Sequence, residues 1–160
     1  MIKLIALLFI ISTADADIFP FLLPDEKSQF NYHLQSHLKK ANKEIVILTS
    51  SMNFPSLRKT LTGTLSHGVH LTLIVREPLG DPLYFTAYRG VDLYTYRPRN
   101  LSDTLILIDN IYVCHLSGPL NEKHLSDDTS SVWCSDEASH LLRTKKHLDT
   151  LLQRSRGYLQ

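Results

Sequence analysis

The sequence predicts one α/β domain: a mixed β-sheet with helices against its faces. The first sign is a β-α-β unit. Glu44-Ile45-Val46-Ile47-Leu48-Thr49 is a nearly unbroken apolar run of the kind covered on both faces. Leu57, Leu61 and Leu65 then share a helical face, and Val69, Leu71, Leu73 and Val75 alternate as a strand does. The second sign is the order that follows, several short strands and a closing amphipathic helix, which a mixed sheet accommodates. The third is length: 160 residues fit one domain, and a domain of that size folds without metal or disulfide staples.

Residues 1–16 stand apart from that domain. Lys3 supplies a short positive start, Leu4 to Ile11 an apolar run, and Ala14-Asp15-Ala16 a small-x-small cleavage site. The run is under half of the roughly 20 residues that cross a bilayer, so no stable transmembrane span is expected. The expectation is a signal peptide cut after Ala16. Residues 17–160 are then an exported domain, periplasmic or secreted. Left uncut, the segment would be a membrane anchor or a buried first strand.

Asp17 to Pro24 reads as a short apolar lead-in. Asp25 is placed to cap a helix running to about Ala41, with Phe30, Leu34, Leu38 and Ala41 inward and Lys39, Lys40 and Lys43 near its negative end. After the first strand, Pro55 suits the first turn of the second helix and Gly68 its end. Pro78, Gly80 and Pro82 break the chain before a short helical stretch through Tyr84 to Tyr88. Val91 to Tyr96 reads as a strand and Arg97-Pro98-Arg99-Asn100 as a basic loop. Leu105 to Ile108 and Ile111 to Leu116 are two strands joined at Asp109-Asn110. Gly118 to Ser130 is polar and read as a loop, Val132-Trp133-Cys134 as a short strand. The last helix runs from about Asp136 to Arg154 with Ala138, Leu141, Leu142, Leu148, Leu151 and Leu152 on its stripe.

Charge excludes one class of function. Lys plus Arg is 17 against 16 Asp plus Glu, so no overall basic field attracts nucleic acid, and any grip on it must be a local patch. Cys114 and Cys134 are either a pair, if the compartment is oxidising, or two buried thiols. Asn100-Leu101-Ser102 spells a glycosylation sequon. The histidines show no spacing that suggests a metal, and no cofactor is implied. His33 and His37, four apart on the first helix, read as a solvated face.

Several pieces together resemble the phospholipase D superfamily, in particular its small exported bacterial endonucleases. They are the first helix, the Glu44–Leu48 strand, Leu57 to Leu61, and the entry His67-Gly68-Val69-His70-Leu71-Thr72-Leu73-Ile74-Val75. Leu105-Ile106-Leu107-Ile108-Asp109 looks like the apolar strand that ends in the family's signature aspartate, and Ser117 like the serine of its Gly-Ser-x-Asn turn. The resemblance spans roughly Phe19 to Leu159. It implies a phospholipase D-like fold and the motif His-x-Lys-x4-Asp, in which histidine attacks phosphorus and lysine holds the phosphate oxygens. Single-motif members of the family obtain a second motif from a dimer partner. The resemblance also pairs the strands of Cys114 and Cys134 antiparallel, which brings the two residues near each other.

The departures are decisive. Counting back from Asp109, Ser102 stands at the histidine position and Thr104 at the lysine position, and Pro119 stands where the turn has asparagine. Losing such contacts removes well over the ~3 kcal/mol that one oxyanion donor contributes. The expectation is a pseudoenzyme that binds nucleic acid or another phosphate-bearing ligand, or that pairs with itself or an active paralogue. Arg97, Arg99 and Arg76 are its candidate phosphate contacts, and one or two of Tyr84, Phe85, Tyr88, Tyr94 and Tyr96 could stack on bases. Two alternatives stand beside it. One is an active phosphodiesterase with a relocated nucleophile, for which His115 is the candidate. The other is a structural interaction protein of the envelope.

Overall fold

The computed structural model describes residues 17–97 and 101–158. The expected signal peptide lies outside the described residues, as do Arg99 and Asn100. Eight strands form one mixed sheet in the order β1-β9-β7-β6-β2-β4-β5-β10. They are β1 (Ile18–Leu23), β2 (Glu44–Thr49), β4 (His70–Val75), β5 (Val91–Thr95), β6 (Thr104–Ile108), β7 (Tyr112–Leu116), β9 (Ser130–Ser135) and β10 (Arg156–Gly157). Two more, β3 (Met52–Asn53) and β8 (Leu120–Asn121), pair parallel in a small second sheet.

The apolar runs take the centre. β2 lies parallel to β4 and antiparallel to β6, and Ile45, Ile47 and Leu48 are at most 2% exposed. On one face pack α1 (Lys27–Leu38), α2 (Pro55–Ser66), α3 (Asp81–Phe85) and α4 (Glu122–Asp127). Phe30, Leu34 and Leu38 anchor α1, each fully buried, a gain of about 1.5–3 kcal/mol per side chain. On the other face lies α5 (Ala138–Arg154), with Leu148 and Leu151 against Leu48, Ile74 and Val113. Cys114 and Cys134 stand opposite each other on β7 and β9 and are joined by a disulfide.

Several expectations need correction. The lead-in forms β1, an edge strand exposed at four of its six residues, so no buried period marks it. Asp25 does not cap α1: Glu26 holds the cap position, and its carboxylate reaches back to accept the Leu22 N–H. The helix ends at Leu38, and Ala41 is buried beyond it. The short helix α3 starts one turn earlier than expected, with Pro82 in its first turn. The loop expected at 118–130 contains β8 and α4. Asn121 caps α4 by accepting the His124 N–H at 2.7 Å, and Leu125 anchors it. On α5, Ala138 is exposed and Leu142 is 72% exposed, because position 142 is two residues from inward Thr144 and so lies on the far side of the helix.

Candidate functional site

The two strands that would carry the reactive residues meet where β6 begins and β7 ends. Here Thr104, at the lysine position, is fully buried. Its hydroxyl donates to Gly118 O at 2.7 Å and lies 2.8 Å from Thr49 Oγ1. Thr49 Oγ1 in turn accepts the Leu120 N–H at 3.1 Å. Thr104 thus ties the ends of β2, β6 and β7 to β8 and offers nothing to a ligand.

On the α5 side of the sheet, the face opposite the one Thr104 shares with Ile106 and Ile108, opens a cleft of about 410 Å³ whose polar residues are Ser102, Asp103, His115 and His147, with Tyr96 and several leucines as walls. Ser102 is exposed, and its hydroxyl donates to Asp103 Oδ1 at 3.0 Å. The other oxygen, Asp103 Oδ2, lies 3.2 Å from His115 Nε2, which donates to it. The carboxylate therefore separates hydroxyl from imidazole, and His115 is not placed as a base for Ser102. The bond to Nε2 leaves Nδ1 of His115 as the free nitrogen. His115 also packs against Trp133, ring centroids 5.4 Å apart, so its ring is supported on two sides.

Asp109 lies at the opposite end of β6, about 17 Å along the strand. It accepts the backbone N–H groups of Asn42 at 2.8 Å and of Lys43 and Glu44 at 2.9 Å each. Burial pushes its pKa up, but those three N–H groups and the Lys43 charge outweigh burial and hold the carboxyl below its usual value. Asp109 and Asn110 both have positive φ, 50° and 57°, as a tight hairpin turn with this hand requires. Asp109 is a fastener between the β6–β7 turn and the start of β2.

Ser117 is exposed, and its N–H bonds back to Ser131 O on β9 at 3.0 Å. Gly118 follows with φ 134° beneath the ring of His124, where an added Cβ would come within 2.0 Å of Nε2. His124 places Nε2 3.1 Å from Ser117 O and Nδ1 2.7 Å from Asp128, bracing the turn against α4. Sequence reasoning missed this strut, whose one signal is the glycine beside Ser117.

The candidate arginines do not converge. Arg76, half-buried at the end of β4, donates to Leu101 O and supports the approach to β6. Arg97 is exposed and faces a separate pocket with Thr95, Arg154 and Arg156. Arg99 lies outside the described residues. Of the aromatic candidates, Tyr96 reaches the cleft. Tyr94 packs on the α5 side, Phe85 is buried in the core, and Tyr84 and Tyr88 join hydroxyls on the far face near Arg58. His33 and His37 are half-buried rather than solvated. His37 stacks flat on Tyr112, centroids 3.8 Å apart, and His33 bonds to the Tyr112 hydroxyl. Burial first, and then the nearby His37, lower the His33 pKa.

No protein-family model matches the sequence, and no curated protein matches it either. Solved structures do. NucT from Helicobacter pylori superposes with a TM-score of 0.82 at 15% identity, over 90% of this chain and 100% of that one. Nuc from Salmonella typhimurium, a phospholipase D family member, gives 0.76 at 16%, over 90% and 99%. TrmBL2, an archaeal chromatin protein that binds DNA, gives 0.65 at 8%, over 88% of this chain and 54% of that one.

Proposed function

We propose, from the premise that this chain has the phospholipase D fold, that it is an exported, catalytically silent domain that binds nucleic acid. The carrying observation is Thr104. Where the motif needs a cation facing a phosphate, a buried hydroxyl bonds inward to Thr49 and Gly118. The Ser102 hydroxyl donates to Asp103 and not to an imidazole, and Pro119 has no side-chain donor. DNA binding is in keeping with the archaeal chromatin protein, 54% of whose chain superposes on this one. Export is supported by the Cys114–Cys134 disulfide, which persists in oxidising compartments. Pairing with an active paralogue is the route by which such a domain would still take part in chemistry.

A second reading rests on His115. With Asp103 on Nε2 and His147 in the same cleft, it is an imidazole oriented by a carboxylate, the relation a nucleophilic or basic histidine requires. Assays on bis-p-nitrophenyl phosphate and plasmid DNA, with and without chelator, separate the two. The silent reading expects no turnover and salt-sensitive DNA binding. Turnover that survives chelation and disappears in His115→Ala, with a trapped phosphohistidine, establishes the second reading instead.

A further inference from the structure

Away from the cleft, three elements bring guanidinium groups around one pocket. Arg97 follows β5, Arg154 closes α5 and Arg156 opens β10, and with Thr95 they line a pocket of about 340 Å³. All three arginines are exposed, and among the described residues none forms an ion pair. Arg154 gains from the negative end of α5. Arg97 and Arg156 have no comparable gain. Three like charges around one hollow repel one another, so the grouping opposes the fold rather than stabilising it. In a chain with only one net positive charge, such a concentration calls for a ligand that supplies the missing negative charge.

The chemistry of that ligand follows from the donors. Guanidinium groups present paired N–H donors that match the oxygens of a phosphate. No aliphatic side chain among the described residues lines the pocket, so it has no group to enter a bilayer. Tyr96, between Thr95 and Arg97, lines the cleft. Strand alternation turns its ring to the face opposite its neighbours. A ring for a base on one side of a strand end and cations for the backbone on the other are the two parts of a single-strand binding surface. We propose that the Arg97–Arg154–Arg156 pocket is a backbone-phosphate site for a single nucleic-acid strand whose path continues from the cleft past Tyr96. The inference rests on the nucleic-acid reading above and adds the place of contact.

The test is fluorescence anisotropy of the full chain with a short fluorescein-labelled oligo-dT over a range of salt. The triple variant Arg97→Ala/Arg154→Ala/Arg156→Ala is expected to bind about tenfold or more weaker at low salt. The slope of log affinity on log salt should shrink by about 2, as three single-strand phosphate contacts require. The corresponding triple lysine variant should keep the slope and lose part of the affinity, because lysine cannot bind bidentately. Tyr96→Ala should weaken binding and leave the slope unchanged. The thermal midpoint of the triple alanine variant should equal or exceed that of the parent, whereas a structural role would lower it. Unchanged affinity and slope in the triple alanine variant overturn the pocket and leave the nucleic-acid reading standing. A parent protein that binds no oligonucleotide at low salt overturns both. Binding to phosphatidylglycerol vesicles through the same arginines, without oligonucleotide binding, replaces the nucleic acid by a membrane surface.

Discussion

Asp109 holds three backbone amides at once, and its negative charge strengthens each bond. Burial opposes that charge, but the three N–H groups and Lys43 outweigh it, so the folded carboxyl ionises below its ordinary value of 3.8. The folded state therefore binds fewer protons than the unfolded chain in acid. The stabilisation is complete above the ordinary value and is lost as pH falls through the folded one. Asp109→Asn keeps the shape but replaces one acceptor oxygen by an NH2 that faces amide donors. The variant should lose about 1 kcal/mol at neutral pH, a figure discounted for the partial exposure of the carboxylate. Urea unfolding should show the gap to the parent closing on acidification. A gap of constant size at acid pH would mean that shape, not charge, holds the turn.

The disulfide acts between elements. Cys114 and Cys134, separated by 20 residues, fasten β7 to β9 across the segment that holds β8 and α4. Closing a loop of that size stabilises by about 3 kcal/mol through the unfolded chain. Cys114→Ala/Cys134→Ala, or reduction of the parent, should lower the urea midpoint accordingly, while a C114A/C134A protein with the parent's midpoint would rule that contribution out. This pairing was open in the sequence and became definite once β7 and β9 lay side by side. Elements were legible where several apolar residues set a period, as in β2, β4, β6 and α2. They were illegible where one residue anchors an element, as Leu125 does in α4, or where an edge strand exposes most of its side chains, as β1 does. The site was legible only as departures from the motif the sequence resembles. Ser102 and Thr104 mark those departures, but the contacts at Thr104 join it to a residue 55 positions away, and those at Thr49 reach one 71 away. The same holds for the arginine pocket, whose members come from β5, α5 and β10. No local pattern encodes such meetings.

For the whole molecule, the proposed silence raises the question whether two side chains or a reorganised centre would account for it. The buried threonine pair bridges the ends of the central strands and the small second sheet, so the centre of the former motif is part of the packing. Restoring the motif by Ser102→His/Thr104→Lys would thrust an ammonium group among Thr49, Gly118 O and the Leu120 amide. Among the described residues no carboxylate bonds to this network. An unpaired buried charge of this kind costs about 3 kcal/mol or more, and the Leu120 N–H loses its arrangement as well. The double variant should therefore unfold at markedly lower temperature and show no turnover of bis-p-nitrophenyl phosphate. Adding Pro119→Asn should not rescue it, because the turn is already fixed by Thr104 on Gly118 O and by His124 on Ser117 O. If the double variant instead keeps the parent's thermal midpoint and hydrolyses the ester, the scaffold has stayed poised for chemistry, and the proposed silence would lie in two residues alone.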